Sequence, residues 1–147
     1  MKTIIAVWGA KNTGKTTAIL KTYEKLLDLG AIIEKQTGSL NDDIYAILNY
    51  KSKKIGIISM GDPSPNEQES EQGTHLADAA TEECDIIICA CRTKDETLAN
   101  IHKTISKGYD VVWASPLSRG KYNETATNER VLANLFSNTL IELINNL

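Results

Sequence analysis

The chain has 147 residues, of which 41% are hydrophobic and 24% charged, and its formal net charge is −3. A chain of this length buries a full hydrophobic core without staples, so a disulfide-dependent miniprotein and global disorder are both excluded. Sixteen basic residues against 19 acidic ones also exclude a bulk cationic field, so we expect no bulk nucleic-acid binding and no attraction to anionic lipid.

The sequence gives no indication of a membrane segment or a cleaved leader. No apolar run approaches the roughly 20 residues that span a bilayer, and the apolar core at 4–8 is too short for a signal peptide. We therefore expect a cytoplasmic protein that contacts no membrane.

Three cysteines, Cys84, Cys89 and Cys91, cluster around one hydrophobic segment. An odd number in this arrangement is typical of reduced thiols packed in a core. Zinc would need a fourth ligand, and neither His75 nor His102 stands at a finger-like spacing. We expect no metal site here and assign no role to the two histidines.

The first two predicted elements are a strand and a helix. Ile4–Trp8 is a short apolar run that ends at Gly9, which predicts a strand buried on both faces. From Lys15 the apolar residues recur at helical spacing, and Gly30 follows where a C-terminal cap belongs.

A polar stretch and a hairpin follow this helix. The segment 34–43 is polar and is predicted as an exposed loop. The β-like runs 44–50 and 54–60 are separated by three residues only. A connection this short makes the two strands antiparallel neighbours.

The remaining predicted elements alternate between helix and strand. The first is a helix that begins at the capping box Ser64–Glu67 and is interrupted at Gly73, and a strand at 85–90 follows it. The next helix runs from the capping box Thr93–Glu96 to Gly108, with Leu98, Ile101 and Ile105 facing inward. A strand at 110–114 and a long amphipathic C-terminal helix complete the chain order. The predicted inward stripe of that last helix is Leu132, Leu135, Phe136, Leu140, Leu143, Ile144 and Leu147.

Strands that alternate with helices of this length predict an α/β fold with three layers. We expect a mostly parallel sheet of about five strands, with one antiparallel hairpin strand and helices on both faces. No linker, repeat or low-complexity tract divides the sequence, so we expect a single domain over 1–147.

Residues 9–16 read GAKNTGKT and fit the pattern G-x-x-x-x-G-K-[ST]. A chance match is expected in roughly one chain in two hundred of this length, and here the match lies between a predicted strand and a predicted helix. Gly9 and Gly14 allow the backbone to curl so that successive N–H groups face an anion. Lys15 can reach the β- and γ-phosphates, Thr16 can ligate Mg²⁺, and Thr17 is placed to bond the α-phosphate.

The motif in this context resembles the P-loop (Walker A) NTPase superfamily. The loop is also locally similar to that of the molybdopterin-guanine dinucleotide biosynthesis protein B family and of some phage nucleotide kinases. Partition-type ATPases carry an extra lysine where this chain has Ala10, which disfavours that subfamily. The resemblance implies Mg²⁺ and ATP or GTP as cofactors, and a phosphate-binding set of Gly9, Ala10, Lys11, Asn12, Thr13, Gly14, Lys15, Thr16 and Thr17.

A magnesium site beside Thr16 needs an acid at the carboxyl end of a strand, where ligands of open α/β sheets bind. Asp62 follows the apolar run 55–61 and meets this condition, although a turn aspartate before a proline is the alternative interpretation. Asp85 and Asp110 lie at the amino ends of their predicted strands and are interpreted as turn residues.

Other candidates are ranked by position alone. Arg92 follows the strand that contains Cys89 and could neutralise charge on a transferring phosphoryl group or bind an acceptor. Thr37 and Gly38 are placed in the loop that would approach the γ-phosphate. The remaining candidates are Glu67, Glu69 and Glu71, for which a solvated acidic face is the favoured interpretation, and the loop Ser115–Thr125 with Arg119 and Lys121, which could contact the base or form a phosphate lid.

Three functions follow from this pattern. The favoured one is an Mg-dependent NTP hydrolase in which Lys15, Asp62 and Arg92 act in catalysis. The alternatives are a small-molecule or nucleotide kinase, for which the insert 115–125 is short, and a nucleotide sensor with little turnover. The absence of an Asn-Lys-x-Asp signature argues against a common GTPase switch. The apolar stripe of the C-terminal helix could instead serve a homodimer or a protein partner.

Overall fold

The computed structural model describes residues 2–9, 14–38, 43–60, 71–92, 96–116 and 126–147. A strand and a helix are followed by three consecutive strands, after which helices and strands alternate as the apolar spacing predicts. The strands are β1 (Thr3–Trp8), β2 (Ile32–Gly38), β3 (Ile44–Tyr50), β4 (Lys53–Ile58), β5 (Ile86–Cys91) and β6 (Asp110–Ala114). The helices are α1 (Lys15–Asp28), α2 (Glu71–Thr81), α3 (Glu96–Ile105) and α4 (Ala126–Asn146).

The strands form one sheet in the order β2-β3-β4-β5-β1-β6. β3 is antiparallel to both of its neighbours, and the β4–β5, β5–β1 and β1–β6 pairs are parallel. This confirms an α/β fold whose mostly parallel sheet contains one antiparallel strand. β1 lies between β5 and the edge strand β6, so the loop that follows β1 starts at the carboxyl edge, one strand in from the end of the sheet.

The sheet has six strands rather than about five, because part of the segment predicted as loop is β2. Residues 35–38 pair with β3 after a register shift at Glu34, although every side chain of β2 is exposed. A strand at the sheet edge needs only backbone hydrogen bonds on one side and buries no apolar face, so its sequence shows no alternation. The loop prediction for 34–43 is therefore wrong over 34–38.

Two apolar clusters lie on opposite faces of the sheet. α1 and α4 cover one face, where Phe136, Leu140 and Ile144 of α4 are buried. α2 and α3 cover the other, with Ile101 buried and Leu98 and Ile105 packed against the cluster as predicted. The three cysteines are free thiols buried on this second face. Desolvation raises the pKa of the Cys84 thiol to about 12.

The inward face of α4 is narrower than predicted. Leu135 and Leu147 are 48% and 42% exposed. The buried residues Phe136, Leu140 and Ile144 recur every four residues, and a neighbour one position away on a helix points about 100° from that line. Leu135 therefore falls outside the stripe.

Glycines behave as predicted at the helix ends but not inside α2. The amide of Gly30 donates to Leu27 O at 3.0 Å, with φ at 102°, and Gly108 ends α3 with φ at 97°. α2 runs from Glu71 to Thr81 through Gly73, so the predicted interruption there is wrong. One helical glycine costs about 1 kcal/mol, and burial of Gln72 and Leu76 on either side offsets that cost.

The predicted capping boxes rest on 64–67 and 93–95, which lie outside the described residues. In the part of the chain that the structure covers, none of the helices is both long and apolar enough to cross a bilayer.

A carboxylate on α2 ties the edge of the sheet to the helix layer. Asp78 Oδ2 accepts hydrogen bonds from Lys35 Nζ on β2 at 2.7 Å and from the Tyr45 hydroxyl on β3 at 2.5 Å. These bonds, the one from Lys35 first, lower the pKa of Asp78 below its usual value of 3.8.

We expect Asp78→Asn to reduce the free energy of unfolding at pH 7 by about 1 kcal/mol, because the ion pair is partly exposed. A carboxyl group whose pKa is lower in the folded state stabilises the fold at pH values above its unfolded-state pKa. That stability is lost as the pH falls through the folded-state pKa. Urea unfolding across pH should therefore show the difference from wild type shrinking below pH 3.8. The exposed Asp28→Asn serves as control; an equal loss at every pH would contradict this account.

Candidate functional site

The carboxyl edge of the sheet is where the phosphate-binding motif begins. The amide of Gly9 donates to Cys91 O at 3.1 Å and so continues the β1–β5 ladder by one residue. Ala10, Lys11, Asn12 and Thr13 lie outside the described residues, and their assignment to the loop remains a prediction. The structure therefore describes the two ends of the loop.

At the far end, Gly14 is the N-cap of α1 in the left-handed conformation, with φ at 81°. It supplies no side-chain cap, and the first turn of the helix contains no acidic residue. The first amides of a helix lack intrahelical partners, and the aligned peptide dipoles make this end positive. An anion such as a phosphate group is the complementary partner for such an end.

Lys15 lies folded back toward the end of β1. Its side chain is 7% exposed, and Nζ donates to Gly9 O at 2.7 Å. The ammonium group is thereby held at the carbonyl of the first glycine of the motif. A charge in this position needs only a small movement to reach an anion bound at the helix end.

Thr16 connects α1 with the strand that leads to Asp62. Its Oγ1 donates to Ser59 O, which follows β4, at 3.1 Å. Because the hydroxyl proton is directed to this carbonyl, the oxygen lone pairs stay available to a cation. Thr17 is exposed beside it. Asp62 lies outside the described residues, so its metal role remains a prediction.

A second carboxylate near Thr16 was not found from the sequence. The buried Ser59 Oγ accepts from the amide of Ile44 at 2.7 Å and donates to Asp43 Oδ1 at 3.3 Å. Asp43 precedes β3, and because β3 is antiparallel, its amino end lies at the same edge as the carboxyl ends of its neighbours. The predicted antiparallel hairpin already implied that the start of its first strand, and so Asp43, lies at this edge.

The donors at this edge fit magnesium by their chemistry. Mg²⁺ prefers oxygen ligands, keeps several waters and takes one or two carboxylates together with substrate phosphates. The Thr16 hydroxyl and the nearby Asp43 carboxylate are oxygen donors of this kind, and the chain passes from Ser59 to Asp62 within three residues.

A buried amide network, also missed from the sequence, fixes α2 against the same edge. Gln72 Nε2 donates to Met60 O at 3.0 Å and to Ala90 O at 2.5 Å. Its Oε1 accepts from Asn100 Nδ2 of α3 at 3.2 Å. Since these groups are buried and hydrogen-bonded, they hold the start of α2 beside the ends of β4 and β5.

Arg92 follows β5, the strand between β1 and β4. Its backbone amide donates to Thr97 Oγ1 at 2.8 Å, and its side chain contributes to the wall of a cavity beside Trp8. The prediction that Arg92 lies at the carboxyl end of the strand that contains Cys89 is consistent with this placement; its catalytic role stays a prediction.

The other candidates separate into displaced and undescribed residues. Thr37 and Gly38 pair with β3 in strand β2, which stands four strand spacings from β1, or about 19 Å. The prediction that they lie in a loop is therefore wrong, and β2 does not place them beside the phosphate loop. The side chain of Glu71 is 70% exposed and lies 3.6 Å from His75 Nε2, as a solvated face would be. Glu67, Glu69, Arg119 and Lys121 lie outside the described residues.

Two curated proteins are similar to this chain, and both are named GTPase Der. The protein of Acetivibrio thermocellus is 32% identical over 101 residues, or 67% of this chain. The protein of Myxococcus xanthus is 26% identical over 144 residues, or 92% of this chain. The chain spans only 22% and 29% of the length of these relatives.

No protein-family model matches the chain, and no solved structure matches it. The two similarities support assignment to the P-loop NTPase superfamily and nothing narrower.

Proposed function

We propose that this protein binds a nucleoside triphosphate with Mg²⁺ at the carboxyl edge of its sheet and hydrolyses it. The observation that carries the proposal is the position of Lys15, buried and bonded to Gly9 O at 2.7 Å above the uncapped start of α1. Similarity to two proteins named as GTPases supports nucleotide hydrolysis in general.

The residues divide the work along the nucleotide. The amides at the start of α1 hold phosphate oxygens, and Lys15 moves from Gly9 O to the β- and γ-phosphates. Thr16 would hold the magnesium ion with Asp62 or Asp43, and the bound ion would neutralise charge on the β- and γ-oxygens. In hydrolysis, water forms a bond to the γ-phosphorus while the bond to the bridging oxygen breaks. The nucleoside diphosphate leaves with the electron pair, inorganic phosphate is released, and the proton of the water passes to solvent.

The identity of the base is proposed from the relatives alone. Their name favours GTP, whereas the sequence lacks the Asn-Lys-x-Asp guanine signature. We therefore propose a purine nucleoside triphosphate as substrate, with GTP and ATP to be compared directly.

A nucleotide kinase is the second candidate, and the cavity between Trp8 and Arg92 is the observation that favours it. In this reaction an acceptor oxygen forms the bond to the γ-phosphorus as the bridging bond breaks. The nucleoside diphosphate leaves with the electron pair, and the acceptor proton passes to solvent.

Purified chain with Mg²⁺ and either γ-labelled GTP or γ-labelled ATP, with and without AMP or GMP, distinguishes these functions. We expect label in inorganic phosphate. Label in the diphosphate formed from AMP or GMP would identify a kinase. Binding of the triphosphate without release or transfer of the label would identify a sensor. Folded protein that binds neither triphosphate at millimolar concentration would overturn nucleotide binding altogether.

A further inference from the structure

A cavity opens at the carboxyl edge on the face covered by α2 and α3. Its volume is about 240 Å³, and its walls are Trp8, Arg92, Leu98 and Trp113. The two tryptophans are 38% and 44% exposed, and the sequence contains no others. The cavity is therefore lined by both tryptophans of the chain, by one leucine and by one arginine, and its surface is mostly apolar.

The strand register explains why these side chains meet. Trp113 of β6 pairs with Ala6 of β1, and Trp8 is two positions further along β1. Since side chains alternate between faces with period two, both indoles project from the same face of neighbouring strands. On the other side of β1, Trp8 pairs with Cys91 of β5. Arg92, the next residue after Cys91, therefore lies one position beyond Trp8 toward the carboxyl edge.

The wall chemistry selects a flat ring that carries an anion. Indole faces stack on planar heteroaromatic rings, and every nucleobase offers such a face. The guanidinium of Arg92 is suited to a phosphate group because its planar donors match the phosphate oxygens. The volume lies just below the roughly 300–1,000 Å³ typical of pockets for drug-sized ligands, and so matches one ring system.

The cavity also lies beside the phosphate-binding loop. Trp8 directly precedes Gly9, and Arg92 follows the strand between β1 and β4. Thr16 contacts Ser59 O after β4 at 3.1 Å, and its hydroxyl marks the magnesium end of the triphosphate. A phosphate held by Arg92 would thus lie near that end of the bound nucleotide.

We propose that this cavity binds a nucleobase between Trp8 and Trp113, with Arg92 contacting a phosphate of the same nucleotide. The inference rests on the proposed nucleotide function. The base belongs either to the triphosphate on the loop or to a second nucleotide, such as a monophosphate acceptor. Both sources present the same chemistry to the cavity.

Tryptophan emission tests this proposal directly, because both emitters line the cavity. In a Trp8→Phe variant, Trp113 is the sole tryptophan and lies on β6 rather than on the strand that leads into the loop. We expect AMP or GMP to quench this emission to saturation and ribose 5-phosphate to leave it unchanged. Calorimetry on Trp113→Ala and on Arg92→Ala should show monophosphate affinity at least about tenfold weaker, as expected when stacking or charge-assisted bonds are lost. The control Arg130→Ala, an exposed arginine on α4, should bind as wild type.

Inorganic tripolyphosphate with Mg²⁺ separates the sources of the base. If AMP or GMP still quenches when tripolyphosphate fills the loop, the cavity holds a second nucleotide. If GTP or ATP quenches and excludes the monophosphate, the cavity holds the base of the triphosphate itself.

Tripolyphosphate binding also separates the two proposals. If the wild-type chain does not bind tripolyphosphate, the proposed function is overturned. Intact tripolyphosphate binding without any nucleotide effect on Trp113 emission would overturn the cavity alone, as would equal affinities for Arg92→Ala and Arg130→Ala.

Discussion

Replacement of Lys15 by alanine should lower NTP turnover by about 10²-fold or more, the scale seen when one preorganised donor to a developing charge is removed. The reason lies in the burial of its ammonium group. Lys15 is 7% exposed and bonded to Gly9 O, so its charge acts in a site with little water, where an electrostatic interaction is strong. Phosphoryl transfer depends mostly on such charge neutralisation.

Two measurements separate this effect from damage to the fold. Circular dichroism and urea unfolding should show Lys15→Ala folded, with a loss of about 1 kcal/mol for the missing bond to Gly9 O. The matched control is Lys107→Ala, which removes the same charge from an exposed position after α3. A folded Lys15→Ala protein that hydrolyses NTP at the wild-type rate would remove this lysine from the mechanism.

The parts of the fold that could be predicted from the sequence are those with an apolar pattern. β1 and α1 have a clear change of period between them, and a glycine ends each one. β2 has no pattern, because its side chains are exposed and only its backbone pairs with β3. Leu135 has the spacing of a buried residue and is exposed, because the line of contact with the sheet, not the hydrophobicity of a side chain, decides what α4 buries.

The site divides in the same way. The placement of Gly14, Lys15 and Thr16 at the start of the helix after β1 could be predicted, because a short motif encodes this local backbone geometry. Their binding roles stay predictions. Ser59 and Asp43 could not, since Ser59 O meets Thr16 only where β4 ends beside α1. Asp43 meets the Ser59 hydroxyl only through the pairing of antiparallel β3 with β4.

The amide of Gln72 and the indole pair follow the same rule. The carbonyls of Met60 and Ala90 that Gln72 contacts belong to different strands, and the meeting of Trp8 with Trp113 depends on the register of β1 and β6. A short sequence motif does not predict contacts that depend on strand order and register.

Replacement of Asp62 by alanine should raise the Mg²⁺ concentration for half-maximal hydrolysis by about 10- to 100-fold, the range found when groups that support a metal site are lost. Asp62 is three residues beyond Ser59, whose carbonyl contacts Thr16 Oγ1. The residues that follow β4 therefore start beside the Thr16 hydroxyl, which would ligate the magnesium ion.

Asp43→Ala is the informative comparison, because Asp43 accepts from the Ser59 hydroxyl at 3.3 Å and the Ser59 carbonyl accepts from Thr16 Oγ1. If Asp62 is the ligand, magnesium titrations of Asp43→Ala should shift much less than those of Asp62→Ala, and Asp110→Ala at the opposite edge should not shift. A curve that moves for Asp43→Ala and stays in place for Asp62→Ala would assign the metal to the antiparallel strand. Asp62 would then be a turn residue before Pro63. Either result identifies which strand supplies the carboxylate, because the two acids enter the edge from neighbouring strands of opposite direction.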